Sequence, residues 1–130
     1  MRIGSKRLGF LGELLAALLY LMRGYRLVAR NLRLPAGEID LVARRGGITA
    51  IVEVKTRQSL TAGEGHDAVD RRKRERLVRL GDQYLARAPN ARLRYDIVSL
   101  YWTGCWFQVT WLPDAFRPES EYGRPWRWRV

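Results

Sequence analysis

Gly37-Glu38-Ile39-Asp40-Leu41-Val42-Ala43-Arg44-Arg45-Gly46-Gly47-Ile48-Thr49-Ala50-Ile51-Val52-Glu53-Val54-Lys55-Thr56-Arg57 is the stretch whose reading decides the fold. Two alternating runs flank Gly46-Gly47, and a Gly-Gly pair between alternating runs signals a two-residue hairpin turn with positive φ at both turn residues. With those glycines as the turn, Arg45 pairs with Ile48. Counting back then sets Asp40 opposite Glu53 and Glu38 opposite Lys55. Ile39, Leu41, Ala43, Ala50, Val52 and Val54 form the expected core face. The other face gathers Glu38, Asp40, Glu53 and Lys55. Like charges directly opposite one another destabilise a sheet. Hard divalent cations are held by carboxylate oxygens, so Mg²⁺ or Mn²⁺ is the natural compensation for Asp40 facing Glu53. The pattern points to a metal-dependent site with a lysine beside it.

The bland reading of such a hairpin is a solvated charged face. Two details count against it. A solvent face normally sets opposite charges across from each other, and Ile51-Val52-Glu53-Val54, rich in β-branched residues, reads as a central strand. A charge in a central strand is costly unless it is paired or bound to metal.

Outward from the hairpin, Leu8 to Met22 reads as a helix that stops at Gly24, a usual C-terminal position for glycine. Its densest apolar face is Leu14, Ala17, Leu18 and Leu21. Glu13 lies beside that face, so it either points to the surface or reaches toward the same cation. This apolar segment follows a basic start and superficially resembles a signal peptide. It contains Glu13, lacks a small-residue cleavage site, and is shorter than the about 20 residues a membrane span needs. It is read as a buried helix of a cytoplasmic protein with no membrane partner.

Tyr25 to Arg33 reads as a first strand closed by Pro35-Ala36-Gly37, and Ser59 to Gly65 as a polar loop. A second helix is expected from His66 or Asp67 to Ala88, with Val69, Lys73, Leu77, Leu80 and Tyr84 as its inward stripe. Lys73 is the one cation on that stripe, and Arg71, Arg72, Arg74, Arg76 and Arg79 cover the other faces. Arg92 to Trp102 and Cys105 to Leu112 read as two further strands joined at Thr103-Gly104. Helix, three strands, helix, two strands gives a single α/β domain over residues 1–112, a mixed five-stranded sheet flanked by helices. Residues 113–130 read as an irregular extension rich in Trp and Arg. Its Trp126 and Trp128 are candidate contact residues, whereas Trp102, Trp106 and Trp111, in expected strands, read as packing residues. The lone His66 reads as a cap or surface residue.

Composition narrows the partners. The 130 residues suit one domain, and 24 Lys and Arg against 13 Asp and Glu leave a net charge of +11. That excess favours a polyanionic partner: DNA, RNA or an anionic membrane surface. Cys105 is the only cysteine, which excludes an internal disulfide and a Cys-type zinc site and suits a reducing compartment.

Gly12-Glu13, Gly24-Tyr25, Arg30-Asn31, Gly37-Glu38-Ile39-Asp40-Leu41, Val52-Glu53-Val54-Lys55 and Arg57, extended by Lys73 and Arg94-Tyr95-Asp96-Ile97-Val98, together resemble the bacterial YraN-like family of small uncharacterised proteins. That family is in turn similar to archaeal Holliday-junction resolvases and to the PD-(D/E)-x-K nuclease-like, restriction-endonuclease-like fold. The resemblance implies a divalent-metal-dependent endonuclease acting on DNA, branched or otherwise structured DNA included. It implies Asp40 and Glu53 as metal ligands with the Val54 backbone carbonyl, and Glu13 completing the metal shell. Lys55 would orient the attacking water or steady the developing phosphorane charge. Lys73, with Arg72, Arg76 and Arg57, would hold phosphates without reading sequence. A homodimer is left open, since resolvases dimerise. The competing readings are a non-catalytic nucleic-acid-binding module on the same fold and a protein-interaction module docking through the aromatic tail.

Overall fold

The Gly46-Gly47 turn fixes the registration of the sheet as the sequence requires: Arg45 pairs with Ile48 and the ladder runs back to Leu41–Val52. Only Gly46 has positive φ (58°). Positive φ at the first turn position alone belongs to a type II′ turn, not to the doubly left-handed type I′ that both glycines would allow.

The computed structural model describes residues 2–58 and 71–118. In chain order these form α1 (Ser5–Met22), β1 (Arg26–Leu34), β2 (Gly37–Arg45), β3 (Ile48–Arg57), α2 (Arg71–Arg87), β4 (Arg92–Trp102) and β5 (Phe107–Phe116). The strands lie side by side in sequence order in one mixed sheet. β1, β2 and β3 are antiparallel, β3 and β4 parallel, and β4 and β5 antiparallel. This is the expected single-domain α/β arrangement, and it is compatible with a nuclease-like fold. Among the described residues no helix is long and apolar enough to cross a membrane. His66, Val69, Trp126 and Trp128, the Ser59–Gly65 loop and the start of the second helix lie outside the described residues.

Both faces of the sheet are buried. On one, Leu77 and Leu80 of α2 pack on Val42, Ile51, Tyr95, Ile97 and Phe116. On the other, Ala16 and Tyr20 of α1 pack on Leu41, Ala43, Ala50, Val52, Val98 and Leu100. Central strands covered on both sides read as near-continuous apolar runs, which is why Leu41-Val42-Ala43 and Ala50-Ile51-Val52 are uniformly buried. The single core face expected from alternation is therefore corrected at one residue: Ile39 packs on the α2 side while Leu41 packs on the α1 side. The irregularity lies between them. The β1–β2 ladder pairs Arg30 with Leu41 and Leu32 with Ile39, leaving Asn31 opposite Asp40. Asn31 takes φ 50°, a left-handed conformation that Asn tolerates better than most residues; the register shift of this strand pair lies farther along, between Leu27 and Ala29.

α1 corrects a second expectation. Its inward face is Leu8, Gly12, Ala16, Ala17 and Tyr20, while Leu18 and Leu21, expected inside, are about half exposed at 51% and 49%. Small residues let the helix axis come close to the sheet. A Cβ on Gly12 would collide with the Thr56 side chain of β3, so glycine at position 12 sets the distance at which α1 lies on the sheet. Of the expected face Ala17 is buried, but the large residues Leu18 and Leu21 marked the wrong side. Gly81 plays the same part in α2, where a Cβ would collide with the Tyr95 ring.

β5 continues to Phe116, past the expected end at Leu112, with Ala115 and Phe116 fully buried. Trp106 is not in a strand. It sits 62% exposed in the turn where the Thr103 N–H donates to the Trp106 carbonyl at 2.9 Å.

Candidate functional site

Past the Leu41–Val52 pair, β2 and β3 no longer exchange ladder hydrogen bonds. The Asp40 side chain enters that opening, and its Oδ2 accepts a 2.8 Å hydrogen bond from the Val54 N–H. In an extended strand the N–H and C=O of one residue project toward the same neighbour, so the Val54 carbonyl faces the same opening. Glu53 follows Val52 in β3 and turns to the α2 side. There its Oε1 accepts from Arg76 Nη2 at 2.9 Å. The expected Glu38–Lys55 rung does not form as a ladder pair: Glu38 pairs across with Arg33 of β1.

Three carboxylates act on Asp40. Burial first, then Glu53, Glu13 and Glu38, push its carboxyl up to about 7, against the lowering influence of the Val54 hydrogen bond. Glu53 is also raised by burial, but here three cations pull the other way: Arg76, Lys73 and Lys55. The four carboxylates come from three elements. Glu13 reaches the group from α1 because Gly12 seats that helix against Thr56. With its amide nitrogen turned to the carboxylates, Asn31 donates to Glu13 Oε1 at 3.3 Å and to Glu38 Oε1 at 3.0 Å. That amide orientation is assigned from the hydrogen-bond network.

Each residue expected at the site thus has a place. Asp40, Glu53 and Glu13 act on one another electrostatically, Val54 lines the opening, and Lys55 and Lys73 lie close enough to Glu53 to lower its pKa. Lys73, the cation on the inward stripe of α2, is inward for this reason. Arg72 is exposed on α2, and Arg57 is half-buried at the end of β3, opposite Tyr101. Arg76 is the departure: it is bound to Glu53 instead of standing on the surface as a phosphate contact. Glu38 was expected on the charged face of the hairpin but was given no role in binding or catalysis, and Asn31 was quoted only for the resemblance.

The donor set suits a hard divalent cation: two carboxylates of β2 and β3, a backbone carbonyl between them, and a third carboxylate on α1. Among the described residues no three acidic, His or Cys side chains converge on one point as a ready cage. The reason is visible in the contacts. Asn31 faces Glu13 and Arg76 holds Glu53. A cleft of about 450 Å³ bounded by Arg92–Tyr95 and Phe116–Pro118 is lined by Asp114 but by none of Glu13, Glu38, Asp40 and Glu53.

Fold and cluster define a small α/β protein with an acidic opening between two central strands. Comparison with known sequences fixes the lineage. The family described as "Uncharacterised protein family UPF0102" matches residues 12–100, and the chain belongs to that family. It is 44% identical over 98 residues to a UPF0102 protein of Symbiobacterium thermophilum, covering 74% of this chain and 83% of the relative. It is 46% identical over 97 residues to one of Chelativorans sp., covering 72% and 77%. A UPF0102 protein of Parvibaculum lavamentivorans is 44% identical over 125 residues, covering 89% and 86%. The matched region includes Glu13, Asp40, Glu53, Val54, Lys55 and Lys73.

Proposed function

We propose that the protein is a divalent-metal-dependent endonuclease that hydrolyses phosphodiester bonds in DNA, with branched or structured DNA as the favoured substrate. One observation carries the reading: Asp40 is held half-buried at the opening between two central strands, its Oδ2 on the Val54 N–H, with Glu53, Glu13 and Glu38 all opposing its ionisation. Stability gains nothing from this arrangement. A cation bound by Asp40, Glu53 and the Val54 carbonyl, with Glu13 beside them, would polarise a phosphoryl oxygen and acidify water. The chain's own residues supply the rest. Lys55, on the same strand as Glu53, donates hydrogen bonds to the oxygens on which charge develops. Lys73 and Arg72 on α2 bring phosphates to the cluster, and Arg57 extends the basic surface along β3.

The net charge of +11 supports a polyanionic partner, and this reading takes the protein to be cytoplasmic. A second copy is the further partner we propose. Leu11, Leu14, Leu18 and Leu21 repeat at alternating spacings of three and four on the outer side of α1, the seam of helix pairing. A monomer in sedimentation at micromolar concentration would remove that element.

One observation favours a second reading, a nucleic-acid-binding module without catalysis: the Arg76–Glu53 pair neutralises one of the two central carboxylates. Incubating the protein with linear, single-stranded and four-way-junction DNA, with Mg²⁺ or Mn²⁺, separates the two. Metal-dependent cleavage lost in Asp40→Asn supports the nuclease. DNA binding without cleavage on every substrate with both metals supports the module.

A further inference from the structure

Arg76 joins the acidic opening to the basic helix through a direct ion pair with Glu53. It sits one turn after Lys73 on α2, is 40% exposed, and reaches across to Glu53 at 2.9 Å. The contact uses one terminal nitrogen on one carboxylate oxygen. Its Nε is buried and has no hydrogen-bond partner among the described residues. Guanidinium groups bind carboxylates and phosphates most strongly as a two-pronged fork, so this single-pronged pair is weaker than the pairing a phosphate diester would offer. A carboxylate engaged by a guanidinium is also a poor ligand for a cation, because the two positive charges compete for the same oxygens.

Resting on the nuclease reading above, we propose that Arg76 is a displaceable counter-ion. It holds Glu53 while nucleic acid is absent and passes to a backbone phosphate when DNA lies on α2, releasing Glu53 to the divalent cation. Lys73 and Lys55 remain to balance the acidic group throughout. The site then assembles only on its substrate, which limits cation loading and stray hydrolysis in the free protein. Because the coupling is an equilibrium between two ligands, it is reciprocal: DNA tightens cation binding by the same factor by which the cation tightens DNA binding. Arg76 is in this account a positioning residue. It acts through Glu53.

The test is calorimetric titration of Mn²⁺ into the full chain, with and without a short DNA duplex carrying hydrolysis-resistant phosphorothioate linkages so that the duplex survives. The Arg76-bearing protein should bind Mn²⁺ weakly alone and at least about tenfold tighter with duplex. Arg76→Gln should bind Mn²⁺ tightly without DNA, and duplex should then add less than about twofold. Arg76→Lys keeps the charge but lacks the fork; it should fall between the two and covers failure of the Gln variant to fold. If both variants bind Mn²⁺ no tighter than their parent while Asp40→Asn abolishes binding, the counter-ion role is overturned and the metal site stands. If no protein binds Mn²⁺ with or without duplex, the nuclease reading falls with it.

Discussion

Asp96 and Asp40 lie on β4 and β2, separated in the sheet only by β3, and the same sheet treats the two carboxylates in opposite ways. Asp96 is fully buried and each of its oxygens accepts two hydrogen bonds. Oδ2 takes Tyr20 Oη and Arg94 Nη2, both at 2.6 Å, while Oδ1 takes Arg94 Nε at 2.8 Å and the Asp114 N–H at 2.9 Å. The Asp114 contact exists because β5 bends at Pro113-Asp114, where Asp114 takes φ 53° and the β4–β5 register shifts. Tyr20 in turn accepts from Trp111 Nε1 at 3.0 Å, and Arg94 donates to Tyr25 Oη at 2.8 Å. The network ties α1, β4 and β5 together. Asp40 is less buried, accepts a backbone hydrogen bond from Val54, and is crowded by Glu53, Glu13 and Glu38. One acid is placed to hold the fold; the other is placed at a cost that folding does not repay. The contrast sets a carboxylate satisfied by the fold against one that the proposed site would use.

Removing the structural acid should have the largest effect. Asp96→Ala leaves Arg94 without its carboxylate and the Tyr20 hydroxyl and Asp114 N–H without an acceptor, so it should cost about 3–5 kcal/mol, as breaking a buried pair from one side does. Asp96→Asn keeps the shape and should cost less. Urea unfolding measures both, and a loss under 1 kcal/mol for Asp96→Ala would erase the distinction drawn above.

Next comes Lys55, whose charge already acts on Glu53. If it stabilises charge that appears only in the transition state, Lys55→Ala should slow cleavage on the order of 10²-fold with binding and folding nearly unchanged. Glu38→Ala should cost much less, since Glu38 is exposed at the rim and touches Asn31. Equal effects of the two substitutions would reduce Lys55 to a charge partner.

A smaller effect separates the two acids by pH. The folded-state carboxyl of Asp40 is raised to about 7, well above its value in the unfolded chain, near 4. The folded state therefore holds this proton more tightly. The stability it confers is complete below about pH 4 and is lost as pH rises to about 7, by roughly 1–3 kcal/mol. Glu53, raised as well, contributes with the same sign. Asp40→Asn should flatten the curve over that window and leave the metal-free protein more stable at pH 8. An unchanged pH–stability curve would mean that Asp40 is not crowded by its neighbours.

The comparison also marks what the sequence could reveal. The hairpin register back to Leu41–Val52 was legible because Gly46-Gly47 fixes the turn; counting on brought Asp40 and Glu53 to one opening, although the ladder stops short of pairing them. Lys73 was legible as a cation on an apolar stripe. The Asp96 network was not, because its partners come from α1, β4 and the bend in β5, and no local pattern brings Tyr20, Arg94 and Asp114 together. The inward face of α1 was missed for a related reason. What fits against Thr56 is the absence of a side chain at Gly12, and a missing side chain adds nothing to an apolar pattern. Arg76 was legible as one basic residue among many on its helix. Its attachment to Glu53 depends on how α2 lies across β3, which only the packing of Leu77 and Leu80 determines.

The central claim is that Asp40 is held at a cation site. The most direct measurement is the change in melting temperature on adding Mn²⁺ to the wild-type protein and to Asp40→Asn. The wild-type protein should gain roughly 10 °C at a hundredfold excess over its Kd. Asp40→Asn should start at an equal or higher melting temperature and gain nothing. Equal gains in the two proteins would contradict the assignment of Asp40 to a metal.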